Sequence, residues 1–294
     1  MAKVYFTKKI DSNSLIKIFK ALNINLKGKV GVKVSTGEAG SKGYLKADLI
    51  GPFVKLLNGT IIECNTAYPG KRTNYLDHIK VAKEHGFTSF ADVDIMDKDG
   101  EIKIPVNKGK HLKYDIIGSN FENYDCIVNL AHGKGHAMGG FGANLKNQSI
   151  GIASRNGKAY IHSCGKDENP NTCWNVKYEQ IDFIESMAEA ATAVEDYLKS
   201  HTKQIVYTTI MNNLSVDCDC DCNQGDPVMG DIGIIASLDP VANDKAFLDF
   251  IWNSNDLGAH LLQERIDRQL GREIIPYAES LGLGSSVYEL ICID

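Results

Sequence analysis

The stretch Val30-Gly31-Val32-Lys33-Val34-Ser35, continued by Ala47 to Leu57 and then by Thr60-Ile61-Ile62-Glu63-Cys64-Asn65, reads as strand, helix, strand. Short runs rich in β-branched residues on either side of a helix-length segment form a parallel βαβ unit, because the helix carries the chain back to start the second strand in the same direction. The pattern extends outward both ways. Upstream, Lys3 to Thr7 is a strand and Ser12 to Ala21 a helix; downstream, Asn74 to His85 is a helix and Phe90 to Met96 a strand. The predicted fold class is α/β, with a mostly parallel central sheet flanked by helices.

The second half continues in kind. Asp97 to Asp115, with Asp99-Gly100 between alternating segments, predicts an antiparallel hairpin excursion. Asp125 to Leu130 is an apolar strand. Lys177 to Ser200 is the longest helix, with Ile181, Ile184, Met187, Ala188, Ala191, Val194 and Leu198 at helical spacing. Strands at Gln204 to Met211 and Asp231 to Ala236 follow, then helices at Val241 to Trp252 and about Ala259 to Leu270. No repeat or linker marks a boundary, so the expectation is one α/β domain over 1–294, or two intimate lobes of about 1–125 and 126–294.

Composition narrows the partners. The 294 residues are 43 % hydrophobic and 23 % charged with a formal net charge of −5, which suits a globular protein and argues against nucleic acid or an anionic membrane surface. No run approaches the ~18 apolar residues of a membrane span, and the N-terminal residues lack a secretory pattern, so a cytoplasmic location is expected. In a reducing compartment the eight cysteines are not expected to form a disulfide framework. Cys64, Cys126 and Cys292 sit in apolar runs and are expected to be packing residues.

The densest chemistry lies in Asp217-Cys218-Asp219-Cys220-Asp221-Cys222, three thiols alternating with three carboxylates. Both groups bind cations, and crowding them creates a repulsion that a metal or a proton relieves. As an extended strand the run would set its outer sulfurs about 13 Å apart, too far for one metal with bonds of about 2.3 Å. Either the run bends, or at most two neighbouring cysteines share an ion. The plain alternative is a strand with buried cysteines on one face and solvated aspartates on the other.

A second signal runs from Asn129 through His132-Gly133-Lys134-Gly135-His136-Ala137-Met138-Gly139-Gly140-Phe141-Gly142 to Lys146-Asn147, leaving a buried strand and entering a helix. Glycines at such a turn let backbone N–H groups approach an anion at a helix N-terminus. Gly139, Gly140, Gly142 and Asn147 are therefore candidate ligand contacts, and Lys134, Lys146 and Arg155 would supply positive charge to a small anionic molecule. His132 and His136 would bind metal, move protons or brace the turn. His162, in Tyr160-Ile161-His162-Ser163-Cys164, is a further candidate metal ligand. Glu38, Asn65 and Arg72 lie in polar islands after apolar strands, as does Ser237-Leu238-Asp239-Pro240, where Ser237 and Asp239 also read as helix caps.

Lys33 to Gly40, Asn65 to Arg72, His78 with Ala82 to Phe87, Gly135 to Asn147, Ser154 to His162, Cys218 to Cys222 and Asp231 to Lys245, in this order, resemble a prokaryotic family, the domain of unknown function 362. Its members are often described as uncharacterised iron–sulfur-centre proteins. Many carry a ferredoxin-like insert with repeated CxxCxxC spacing before the long helix. Here that interval is only Cys164 to Asn175, with Cys164 and Cys173 nine apart, and the insert reads as absent. The resemblance implies a retained core holding the Cys-Asp run and the histidine loop, without conventional ferredoxin-type clusters.

The sequence thus predicts a metal ion, iron or zinc, or a small iron–sulfur cluster held by Cys218, Cys220 and Cys222 with His162. His132 and His136 would be catalytic, and the enzyme would be redox or metal-dependent. The alternative is a non-catalytic accessory protein that docks a ferredoxin-like redox partner.

Overall fold

The computed structural model describes residues 1–221 and 225–294. The first half runs β1 (Ala2–Thr7), α1 (Ser12–Ala21), β2 (Val30–Lys33), α2 (Ala47–Leu56), β3 (Thr60–Glu63), α3 (Tyr75–Glu84) and β4 (Val93–Ile95). There follow β5 (Glu101–Pro105), β6 (Tyr114–Gly118), β7 (Cys126–His132), β8 (Lys134–His136), β9 (Gly140–Gly142), α4 (Asn144–Gln148) and α5 (Arg155–His162). The chain closes with α6 (Gln180–Ser200), β10 (Gln204–Met211), β11 (Gly233–Ser237), α7 (Pro240–Trp252), α8 (Ala259–Arg268), α9 (Ile274–Leu281) and β12 (Tyr288–Cys292).

Eight strands form one sheet in the order β12-β1-β11-β10-β7-β2-β3-β4. Only β11 is antiparallel to its neighbours, so seven strands run the same way and the expected mostly parallel sheet is observed. The centre is β7, Cys-Ile-Val-Asn-Leu-Ala-His, every residue of which is buried. A strand covered on both faces needs such a continuous run. Antiparallel pairs β5–β6 and β8–β9 stand outside the sheet.

The helices start where side chains satisfy their first N–H groups. Asp11 accepts from Ser14 N at 2.7 Å, Asn74 from Asp77 N at 3.1 Å and Asp239 from Ala242 N at 2.9 Å, with Pro240 opening α7. Among the described residues no helix is long and apolar enough to cross a membrane.

Two expectations fail here. The Ser237–Asp244 island was expected at the same sheet edge as the others, but it follows the one reversed strand, and Asp239 is spent as a cap. Cys292, expected in the core, is exposed on the edge strand β12, which has a neighbour on only one side.

Candidate functional site

The carboxyl ends of β2, β3, β7 and β10 open onto a cavity of about 440 Å³. This is where ligands gather in open α/β sheets, because the loops leaving parallel strands converge there. From β2 come Lys33 and Glu38, from β3 Glu63 and Arg72, and from β7 and its hairpin His132, Lys134 and His136. The segment after β10 contributes Asp219, Cys220 and Asp221. Lys146, Asn147, Lys158 and His162 reach the cavity from α4 and α5, and half-exposed Trp174 lies against the His162 ring.

The alternating run is a turn. Asp221 N donates to the Cys218 carbonyl at 2.9 Å, so the chain reverses within the motif itself. The extended-strand reading is therefore corrected, and the reversal brings the Cys218 and Cys220 sulfurs together as a disulfide, with Cα atoms 5.2 Å apart. His136 Nε2 lies 4.0 Å from Cys220 Sγ. Ligand atoms of His136, Cys218 and Cys220 all fall within 4.8 Å of one another, a possible metal-binding group. Cys222 lies outside the described residues. Cys164 and Cys173 are buried free thiols and join no such group among the described residues.

Asp219 pins the turn. Its carboxylate meets Lys134 Nζ at 2.9 Å and faces His132 Nδ1 at 3.7 Å, while its carbonyl accepts from Glu38 N at 2.9 Å. Burial alone would raise this carboxyl, but Lys134 and His132 outweigh it and hold the group well below the usual range. At the start of the run Asp217 pairs with Arg265 of α8.

The imidazoles are sorted by their second nitrogens. His132 Nε2 donates to the Asn212 carbonyl at 2.6 Å, directing Nδ1 to Asp219. His136 Nδ1 accepts from Met138 N at 3.2 Å and Gly139 N at 2.9 Å, so the neutral ring carries its proton on Nε2, toward sulfur. His162 Nδ1 donates to the Lys158 carbonyl at 2.7 Å, which leaves Nε2 as a lone pair. Burial pushes the His162 imidazolium down to about 4, so the ring is neutral at ordinary pH. His162 was expected among the metal ligands, but it is not in the convergent thiol group.

The anion-binding glycine turn is also corrected. After β7 the chain makes the β8–β9 hairpin, and the N–H groups of Asn144 and Leu145 that open α4 are already taken by Asp244 at 2.8 and 2.9 Å. Gly139 and Gly140 serve packing, since a Cβ at Gly139 would meet Met187 at 3.0 Å and one at Gly140 the Gly271 Cα at 2.9 Å. Gly142 alone of the three lines the cavity. Asn65 and Arg155 stand back from it, tied to Asp97 by hydrogen bonds of 3.0 Å from their backbone N–H groups.

Lys33, Glu63, His78 and Lys158 were given no role in the site from sequence. Glu63 accepts from Thr36 N at 3.0 Å, Thr36 Oγ1 at 2.7 Å, Arg72 Nη1 at 3.1 Å and His78 Nε2 at 2.5 Å. Burial opposes its charge, but Arg72 and His78 prevail and its carboxyl lies far below the usual range. Lys33 and Glu63 had a legible signal: each is a lone charge inside an apolar strand run.

Comparison with known proteins adds a family and little else. No curated protein matches the chain. A crystal structure of a Thermotoga maritima protein, from the Northeast Structural Genomics Consortium, is 12 % identical with a TM-score of 0.41. The match covers 89 % of this chain and 58 % of that one, so this chain spans less than two thirds of its length. The family model described as a domain of unknown function, DUF362, matches residues 30–249, well over half of the sequence, and the chain therefore belongs to the DUF362 family.

Proposed function

We propose that the protein holds a zinc or iron ion at the thiols of Cys218 and Cys220, and that it acts there on a small anionic molecule bound in the adjoining cavity. The observation that carries this reading is the convergence of the His136, Cys218 and Cys220 ligand atoms to within 4.8 Å, with Cys220 and His136 on the cavity wall. Two thiolates beside an imidazole suit a borderline or soft ion.

The donors are not equivalent. Because His136 Nδ1 is occupied by two backbone N–H groups, its Nε2 is an N–H donor to a thiolate in this ring orientation. Holding the ion falls to Cys218 and Cys220, with Cys222 the candidate third sulfur. When bound, the metal supplies Lewis-acid or electron-transfer chemistry. The chain's own part is to hold the anion: Lys33, Arg72, Lys134, Lys146 and Lys158 face the cavity against Glu38, Glu63, Asp219 and Asp221.

A second reading, a dithiol–disulfide couple, is favoured by the paired sulfurs themselves. The two make different predictions. Tag-free protein purified without oxygen and reduced should contain stoichiometric metal by elemental analysis, and the Cys218→Ser/Cys220→Ser variant should not. A metal-free reduced protein that also fails reconstitution contradicts the metal reading and leaves the dithiol.

A further inference from the structure

Four of the five cations lining the cavity are engaged. Lys33 Nζ donates to the Val34 carbonyl at 2.9 Å and Asn147 Oδ1 at 3.1 Å, and Lys158 Nζ donates to the Ala153 carbonyl at 2.5 Å. Arg72 pairs with Glu63 at 3.1 Å and Lys134 with Asp219 at 2.9 Å. Lys146 alone has no hydrogen bond or ion pair for its Nζ among the described residues, and it projects into the same cavity. Burial, and then the neighbouring Lys134 ammonium, pull its charged form down to about 7, so a large share is free amine near neutrality. A desolvated amine beside a second cation is how lysine becomes a nucleophile toward carbonyl carbon.

We infer that Lys146 forms an imine with the carbonyl of a small 2-oxo acid bound in the cavity. Lys33 and Lys158, whose ammonium groups are held only by neutral oxygens, suit the carboxylate, while Ala137, Met138 and Ile150 offer an apolar wall to a short carbon chain. In the reaction Nζ attacks the carbonyl carbon, two protons move from nitrogen to the carbonyl oxygen, and water leaves as the C=N bond forms. Amine plus carbonyl gives imine plus water, and nothing is oxidised or reduced. His162 lines the same cavity, and its Nε2 lone pair, left open by the Nδ1 bond to Lys158, carries protons from nitrogen to the departing oxygen in this reaction.

This inference rests on the anion cavity of the proposed function and is independent of the metal. The full chain is incubated with pyruvate and sodium cyanoborohydride, then intact mass and peptide mapping locate the adduct. A single adduct on Lys146 is expected, absent in Lys146→Arg and Lys146→Met and slowed at least tenfold in His162→Gln. Folding of each variant is checked by circular dichroism, and Lys146→Arg keeps the positive charge should Lys146→Met not fold. No adduct, or labelling that persists in the Lys146 variants, overturns the inference. Calorimetry with L-lactate, which has no carbonyl to trap, reads the anion site separately. Lactate binding without a pyruvate adduct overturns the imine and leaves the anion cavity standing, whereas binding of neither overturns both.

Discussion

Glu63 shows how a single side chain organises the cavity wall. Its carboxylate is nearly inaccessible and meets Thr36, Arg72 and His78, so neutralising it removes the nearer of two carboxylates from a buried guanidinium, the other being Glu38 at 3.6 Å. Losing one partner of a buried pair typically costs about 3–5 kcal/mol. Glu63→Gln should therefore lower stability at pH 7 by about that amount in chemical denaturation. The folded carboxyl lies below its unfolded value, so its contribution is present above about pH 4.5 and fades as pH falls through the folded value. The gap between variant and wild type should accordingly shrink below pH 4; a gap that is constant with pH would contradict the assignment. Charge in an apolar strand was visible in the sequence at Lys33 and Glu63. Their partners were not, because Arg72 and His78 arrive through loop and helix placement that no local pattern specifies.

At the scale of elements, the β8–β9 hairpin sets the thiol turn against the cavity. Gly135 N donates to the Ser215 carbonyl at 2.8 Å, and a Cβ on Gly135 would stand 2.1 Å from the Val216 carbonyl oxygen. Gly135→Ala must push the segment carrying Asp217 to Asp221 outward, at a cost of about 1–3 kcal/mol. We expect metal occupancy of the reduced protein to fall with it; retained occupancy would mean that the hairpin does not position the thiols. The sequence pointed to the glycine loop and to the Cys-Asp run as separate signals of function. It misassigned the glycines, because a turn that receives a ligand and a turn that receives another strand's backbone call for the same residue. It missed that Asp244, a hundred residues later, caps α4.

Across the whole molecule, the parallel order gathers the chemistry. Strands β2, β3, β7 and β10 end on one edge, so residues from Lys33 to Asp221 meet although nearly two hundred positions separate them. The fold class was legible because hydrophobic period and helix starts repeat locally along the first third. Convergence of the thiols with His136 was not, since it depends on a turn inside the run and on a hairpin between β7 and α4. The isolated reversal at β11 likewise leaves no local trace, and it removes the Ser237–Asp239 corner from the site.

The central claim is that Cys218 and Cys220 hold a metal beside this cavity. X-ray absorption at the metal edge, on reduced protein prepared without oxygen, tests it most directly. The account predicts a first shell with at least two sulfurs at about 2.3 Å that is lost in Cys218→Ser/Cys220→Ser. A shell of nitrogen and oxygen only, or one unchanged in that variant, would contradict it.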